Sequence, residues 1–382
     1  MRNRVLVLSG PTATGKSSVA IEIARRLGGE IVSADSVQLY RGLDIGSGKV
    51  TAGEMLGVPH HCIDVFSPSD DIGANNAAQF CALARSCIDS ILERGATPIV
   101  VGGSGMYLSF LLYGPPLTGA SPPPSPPPSP RAAPPPPAGT SHPPAPSIPP
   151  HSNDAYRIKR RRDIEAASGC VPAYSGLMPN RHLLPLDYNF VCVSMYCERV
   201  KSFRRIDRRV EQMICDGLLV EVIRLYGDGG LRPASMAARA IGYRQALQFL
   251  ADHQDALLRD DWVEEFDSGV FRVAVHERRE RDRLPANAAM HDALLQFVGR
   301  MQAATRQYST RQLTWFKGDK RWLWFDTKLN DGKVDVGACA DRLLRALVCD
   351  PPAAAPDLSL EIPALTHAEV PCITRSCLHW AI

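Results

Sequence analysis

No run of apolar residues in this chain reaches the length of about 18 that a membrane-spanning helix needs. The first apolar stretch begins about at Arg4, which leaves no room for a signal or transit peptide ahead of it. As it stands the chain therefore reads as cytoplasmic and without a membrane partner, and a plastid or mitochondrial address would require an N-terminal extension. Net charge is also scarce. A balance of +3 over 382 residues does not by itself point to a nucleic-acid partner, so any such reading has to come from where the basic residues cluster. The eleven cysteines are odd in number and contain no CxxC pair, which fits reduced thiols in an intracellular compartment better than a disulfide framework. Near the end, Cys372, Cys377 and His379 lack the spacing of a Cys2His2 site, so no zinc is expected there. What remains, 45% hydrophobic and 22% charged over this length, is a globular protein with a sizeable core and two or so domains.

The most informative stretch lies near the start. Gly10, Pro11, Thr12, Ala13, Thr14, Gly15, Lys16 and Ser17 match the G-x-x-x-x-G-K-[ST] phosphate-binding loop in full. Val5 to Leu8 ahead of it reads as a strand buried on both faces, and Val19, Ile23 and Leu27 recur behind it at helical spacing. Between strand and helix, the glycines turn backbone N–H groups toward a ligand, the helix start adds a positive end, Lys16 adds a charge and the Ser17 hydroxyl is a ligand for Mg2+. The loop specifies a polyphosphate and leaves the reaction open.

A second strand, Glu30 to Ala34, delivers Asp35, Ser36, Val37 and Gln38 to the carboxyl edge where open α/β sheets bind ligands. Position alone leaves Asp35 divided between catalysis, Mg2+ binding of the kinase type and a helix cap. His60 and His61 read as structural, since their spacing with Cys62 suits no zinc site. Residues 77–92 have a helical pattern, and Thr97 to Val101 is a further buried strand that opens into a second glycine-rich loop, Gly102-Gly103-Ser104-Gly105. There the backbone can approach a ligand closely, and Ser104 offers a hydroxyl.

GPTATGKS, SADSVQLYRGLDIG, GVPHHCIDV and PIVVGGSGMYL, in that order, resemble the tRNA dimethylallyltransferase (tRNA isopentenyltransferase) family. The resemblance extends over about residues 4–113, 153–249 and 304–326. It implies an α/β fold with a P-loop NTPase-like core, a parallel sheet flanked by helices, plus a reduced helical tRNA-binding insertion. It also implies a prenyltransferase that moves a dimethylallyl group from dimethylallyl diphosphate to N6 of adenine 37 beside the tRNA anticodon, giving N6-dimethylallyladenosine.

The expected division of the chain follows from the same reading. Residues 1–114 form the first part of the catalytic core. Residues 115–152 are a proline-rich linker in place of part of the insertion, since residues 115–150 hold 18 of the 32 prolines and proline runs form neither helices nor central strands. Residues 153–190 are the remnant of the helical insertion, and 191–330 the rest of the core and its RNA-binding helices, with a charged insert at about 251–303. Residues 331–382 are expected to be a poorly ordered tail. Over 198–225 the pattern is helical, with Val200, Phe203, Ile206, Val210, Met213 and Ile214 on the core side and Arg204, Arg205, Arg208 and Arg209 largely outward.

On the family's pattern Asp35 is the general base, Ser104 a hydroxyl near the leaving oxygen or the adenine at a position that is usually Thr, and Lys16 with Mg2+ at Ser17 the charge on the leaving diphosphate. The tRNA contacts carried over are Asp35, Ser36, Val37, Gln38, Tyr156, Arg157, Arg160, Arg239, Gly242, Tyr243, Arg244, Arg311, Gln312, Trp315 and Lys317. Around residues 304–317 basic and aromatic side chains interleave, as contact with an unstacked RNA loop requires. The protein is expected to act as a monomer. Three other readings stay open: an adenylate isopentenyltransferase of cytokinin synthesis, a small-molecule P-loop kinase, and a catalytically weak RNA-binding protein.

Overall fold

The computed structural model describes residues 4–70, 77–114, 188–232, 235–253, 288–319, 321–327 and 333–348. The chain divides into two compact units, Met1–Leu111 with Asp187–Ile382, and Leu112–Leu186. Beyond residue 114 the second unit lies outside the described residues, so the linker at 115–152 and the insertion remnant at 153–187 are not described. The first unit is built on a parallel sheet.

Strand β1 (Arg4–Ser9) carries Val5, Leu6, Val7 and Leu8 at 0–4% exposure, as a run without polar alternation requires of a central strand. It pairs on one side with β4 (Thr97–Val101) and on the other with β5 (Asn189–Tyr196). With β2 (Gly29–Ser33), β3 (His60–His61) and β6 (Leu323–Asp326) the order is β3-β2-β4-β1-β5-β6, every pairing parallel. Parallel pairing brings all the carboxyl ends to one edge. The register sets Leu8 opposite both Val101 and Val193, and Ser33 opposite Val101, so the segments leaving β1, β2 and β4 emerge side by side.

Helix α1 (Lys16–Leu27) starts from Gly15 at φ 86° and stops at Gly28, a left-handed residue whose N–H donates to the Ala24 carbonyl. Val19, Ile21 and Ile23 bury against the sheet, whereas Leu27, the third member of the expected stripe, is 41% exposed at the helix end. Helix α2 is Ala77–Glu93 and α3 is Gly105–Tyr113.

The other helices form a second core. The helical stretch expected at 198–225 is two helices, α4 (Arg199–Cys215) and α5 (Leu218–Gly227), separated at Gly217 with φ 98°. They pack with α6 (Tyr243–Asp252) and α7 (Ala288–Lys317) around Tyr40 and Leu43, with Ile214, Leu218, Tyr243, Phe249, Phe297 and Met301 buried together. Helix α7 starts at Ala288 and not where the pattern was expected to return at Ala304, because Phe297 and Met301 are drawn into this core.

The tail expected at 331–382 is also corrected in part. Residues Val336–Val348 form α8, whose Cys339, Ala340 and Leu343 bury against α1 and the sheet. Residues 349–382, including Cys372, Cys377 and His379, lie outside the described residues. No helix among the described residues is long and apolar enough to cross a membrane.

Candidate active site

The phosphate loop is a tight wrap of backbone held from several directions. Gly10 has φ 135°, and a Cβ there would come within 2.1 Å of the Met195 carbonyl oxygen on β5, so only glycine fits. The Thr14 hydroxyl donates to the Pro11 carbonyl at 2.9 Å, and the Lys16 ammonium donates to the same carbonyl at 2.5 Å. Ala13 is left-handed at φ 64°, and the guanidinium of Arg205 binds its carbonyl oxygen at 2.7 Å. The N–H of Thr12 donates to the Gln312 side chain at 2.9 Å. Ser17, in the first turn of α1, faces outward.

Charge is concentrated above this loop. Burial, then the positive charge of Arg209, lowers the Lys16 ammonium to about 7, against the pull of Asp35. Burial lowers Arg209 as well, with Asp35 opposing. Two cations and one carboxylate thus sit within electrostatic reach of one another.

Asp35 leaves the end of β2 and accepts the Val37 N–H on Oδ1 at 2.9 Å, which fixes the turn that presents it. The Ser104 hydroxyl, from the loop after β4, accepts the N–H of Ser36 at 3.1 Å. These two loops are in contact because Gly102 has no side chain: a Cβ would lie 2.2 Å from the Ala34 carbonyl. The Tyr308 hydroxyl joins the group through Ser104 and Gln312 and is pushed up to about 12 by burial and then by the charge of Asp35. A small pocket borders Ser17, lined by Ile31, Ser33, Gln38, Val50, His60, Ile63 and Val101.

The structure brings together Gly10 to Ser17, Asp35, Ser36 and Ser104 as the sequence suggested. Several other expectations are changed. Arg205 and Arg209 do not belong to an outward basic face: they turn into the site, while Arg204 and Arg208 are exposed. Their i, i+4 spacing puts them on one face of the helix, but Arg204 and Arg208 share that spacing, so the sequence carried no signal that separates the two pairs. Tyr243, expected at the tRNA, is fully buried, and its hydroxyl donates to Glu221 at 2.6 Å. Glu221 in turn accepts the N–H groups of Asp44, Ile45 and Gly46 at 3.0, 2.7 and 3.2 Å. Tyr243 therefore holds the loop after β2 in place from behind.

Gln312 is buried and not a surface contact, its amide donating to the Gly103 carbonyl at 3.0 Å while its oxygen takes the Thr12 N–H. Gly242, also buried, is a turn with φ 96° whose N–H is bound by Gln245 at 2.9 Å. Val37 is partly buried beside the helical core, and Gln38 accepts the Ser33 hydroxyl at 2.9 Å. Arg239, Arg244, Arg311, Trp315 and Lys317 are exposed, with Trp315 lying over Gly105. Tyr156, Arg157 and Arg160 lie outside the described residues.

The residues at this edge can grip a phosphate chain, place a carboxylate near a second reactant and surround both with hydroxyls. A family model described as IPP transferase matches residues 38–133 and 144–319. A tRNA dimethylallyltransferase of Protochlamydia amoebophila is 33% identical over 87% of this chain and 87% of its own. The tRNA dimethylallyltransferase 9 of Arabidopsis thaliana is 32% identical over 85% of this chain and 72% of its own. Among solved structures, a tRNA isopentenylpyrophosphate transferase from Bacillus halodurans is 26% identical with a TM-score of 0.55, covering 90% of this chain and 97% of that one. The family model begins at Gln38, so the phosphate loop and Asp35 rest on the geometry described above. With the model spanning most of the remainder, the chain belongs to the IPP transferase family.

Proposed function

We propose that the protein transfers a dimethylallyl group from dimethylallyl diphosphate to N6 of an adenine in tRNA. The observation that carries this reading is the carboxylate of Asp35 beside the two cations above the phosphate loop. Such a site holds an anion at one end and accepts a proton at the other. In the reaction, the C–O bond of the donor breaks and diphosphate leaves. The loop N–H groups, Lys16 and Arg209 favour the charge that develops on it, which is where electrostatic stabilisation acts. The exocyclic amine of adenine is a weak nucleophile and loses a proton as it forms the new C–N bond, and Asp35 is placed to take that proton. Ser104, in contact with Ser36 and Tyr308, positions the reacting groups.

Mg2+ fits the donor set. Among the described residues no cluster of His, Cys, Asp and Glu forms a protein-built metal site, and the exposed Ser17 hydroxyl is the protein group that would hold Mg2+ together with the diphosphate. Bound there, it would supply positive charge beside the leaving diphosphate.

The adenine has to leave its stack to reach Asp35. The exposed Arg239, Arg244, Arg311, Trp315 and Lys317 supply charge and a ring for the surrounding RNA.

Incubation with labelled dimethylallyl diphosphate and either unmodified tRNA or AMP tests the reading: label is expected on tRNA, and label on AMP alone or on neither overturns it. Asp35→Ala is expected to lower transfer by at least a hundredfold while inorganic diphosphate still binds. Wild-type turnover by that variant would overturn the assignment of the base.

A further inference from the structure

Helix α4 carries two adjacent arginine pairs, and the site described above uses one residue of each. Arg205 binds the Ala13 carbonyl of the phosphate loop at 2.7 Å. The Arg209 guanidinium packs on Gly48, whose carbonyl accepts from Gln38, a residue lining the pocket beside Ser17. Arg204 and Arg208, each one residue earlier, are exposed. Successive helical residues differ by about 100° around the axis, so the exposed pair flanks the inward pair by one step, its members about 6 Å apart along the helix.

The rest of α4 is already committed. Ser202, Ile206, Val210 and Ile214 are buried. Toward α7, the Asp207 carboxylate pairs with Arg306 at 2.5 Å and Glu211 accepts from the Gln302 amide at 3.1 Å. At the two ends, Glu198 pairs with Lys201 at 3.0 Å and Asp216 accepts from Gln212 at 2.7 Å. Each acid of α4 and its flanks thus has a partner, and among the described residues Arg204 and Arg208 have none. Two exposed cations without a counter-charge act through their field, which reaches about 10 Å at ordinary ionic strength. Burial lowers the Arg205 guanidinium, and the charge of Arg208 adds to that effect. The loop itself meets solvent at the exposed Ser17.

We propose that Arg204 and Arg208 form an electrostatic entry to the phosphate loop, drawing the diphosphate end of the donor from solvent and passing it to Arg205, Arg209 and Lys16. This rests on the reading of the loop as a diphosphate site. Charges at the rim of a site act on arrival, whereas groups that touch the bound ligand act on departure. RNA is the other polyanion at hand, but the pair is continuous with the arginines around the phosphate loop. On α7 it is Arg306 that faces α4, and Arg311 lies about 140° further around the helix.

The test follows inorganic diphosphate on the whole protein by phosphorus NMR exchange, which separates association from dissociation. Wild type and Arg204→Gln/Arg208→Gln are compared at about 20 mM and about 500 mM salt. At low salt the association rate is expected to fall about fivefold in the variant with dissociation unchanged, and at high salt the difference should vanish as screening shortens the field. Both side chains are exposed and unpaired, so the variant keeps its fold. Arg25→Gln/Arg345→Gln, the same loss of charge at the far end of α1 and on α8, should leave association as it is. An unchanged association rate in Arg204→Gln/Arg208→Gln, an equal fall in the control, or a change confined to dissociation would each overturn the proposal. Weaker tRNA binding with diphosphate association intact would overturn it too and assign the pair to RNA. Wild-type protein that binds no diphosphate would overturn the reading of the loop, and this proposal with it.

Discussion

Lys16 shows how a single residue is set by opposing demands. Its ammonium is enclosed beside Arg209 in the free protein, and it becomes useful when an anion arrives. With the folded value lowered to about 7 and the unfolded value near 10.5, the unfolded chain binds more protons between those limits, so this residue's contribution to stability rises as pH rises through that window. Lys16→Met should therefore be the more stable protein at pH 6, with its advantage shrinking by pH 9; urea midpoints at both pH values check this. Lys16, Asp35 and Ser104 were legible in the sequence because motif spacing after a strand fixes where such residues emerge. Arg205, Arg209 and Tyr308 were not. Helical periodicity separates an apolar face from a polar one, but it does not say which part of the polar face meets a neighbouring loop.

At the level of elements, the loop after β2 depends on a helix distant in sequence. Glu221, in the first turn of α5, accepts three backbone N–H groups and the Tyr243 hydroxyl. Glu221→Ala should cost about 2 to 3 kcal/mol, since it leaves several donors without a charged acceptor, and Tyr243→Phe about 1 kcal/mol. Chemical denaturation of the two variants gives the comparison, and equal losses would contradict it. The strands β1 and β4 were readable from their apolar runs, and β2 from the β-branched pair Ile31 and Val32. The start of α7 was not, because charged residues crowd the stretch ahead of it, although Ala293, Leu294, Phe297, Val298 and Met301 recur at helical spacing.

For the molecule as a whole, the sheet is completed by an element that composition concealed. The proline- and alanine-rich end of the chain obscured α8, yet Leu343 sits at 2% exposure against α1, the helix that opens from the phosphate loop. Leu343→Ala should destabilise by about 3 kcal/mol, read from urea unfolding. Just ahead of α8, Val334 packs over Gly15: a Cβ on that glycine would lie 2.8 Å from a Val334 methyl. The far end of the chain thus braces its first motif.

Gln312 gives the broadest consequence. One amide joins the phosphate loop at Thr12, the second glycine loop at Gly103 and the helix that presents Arg311 and Trp315. Anything that displaces that helix is felt at the donor loop, and by thermodynamic reciprocity the factor by which donor changes RNA affinity equals the factor by which RNA changes donor affinity. Binding titrations with an unreactive donor analogue should give two equal factors in the wild type, and in Gln312→Ala both should fall toward one together.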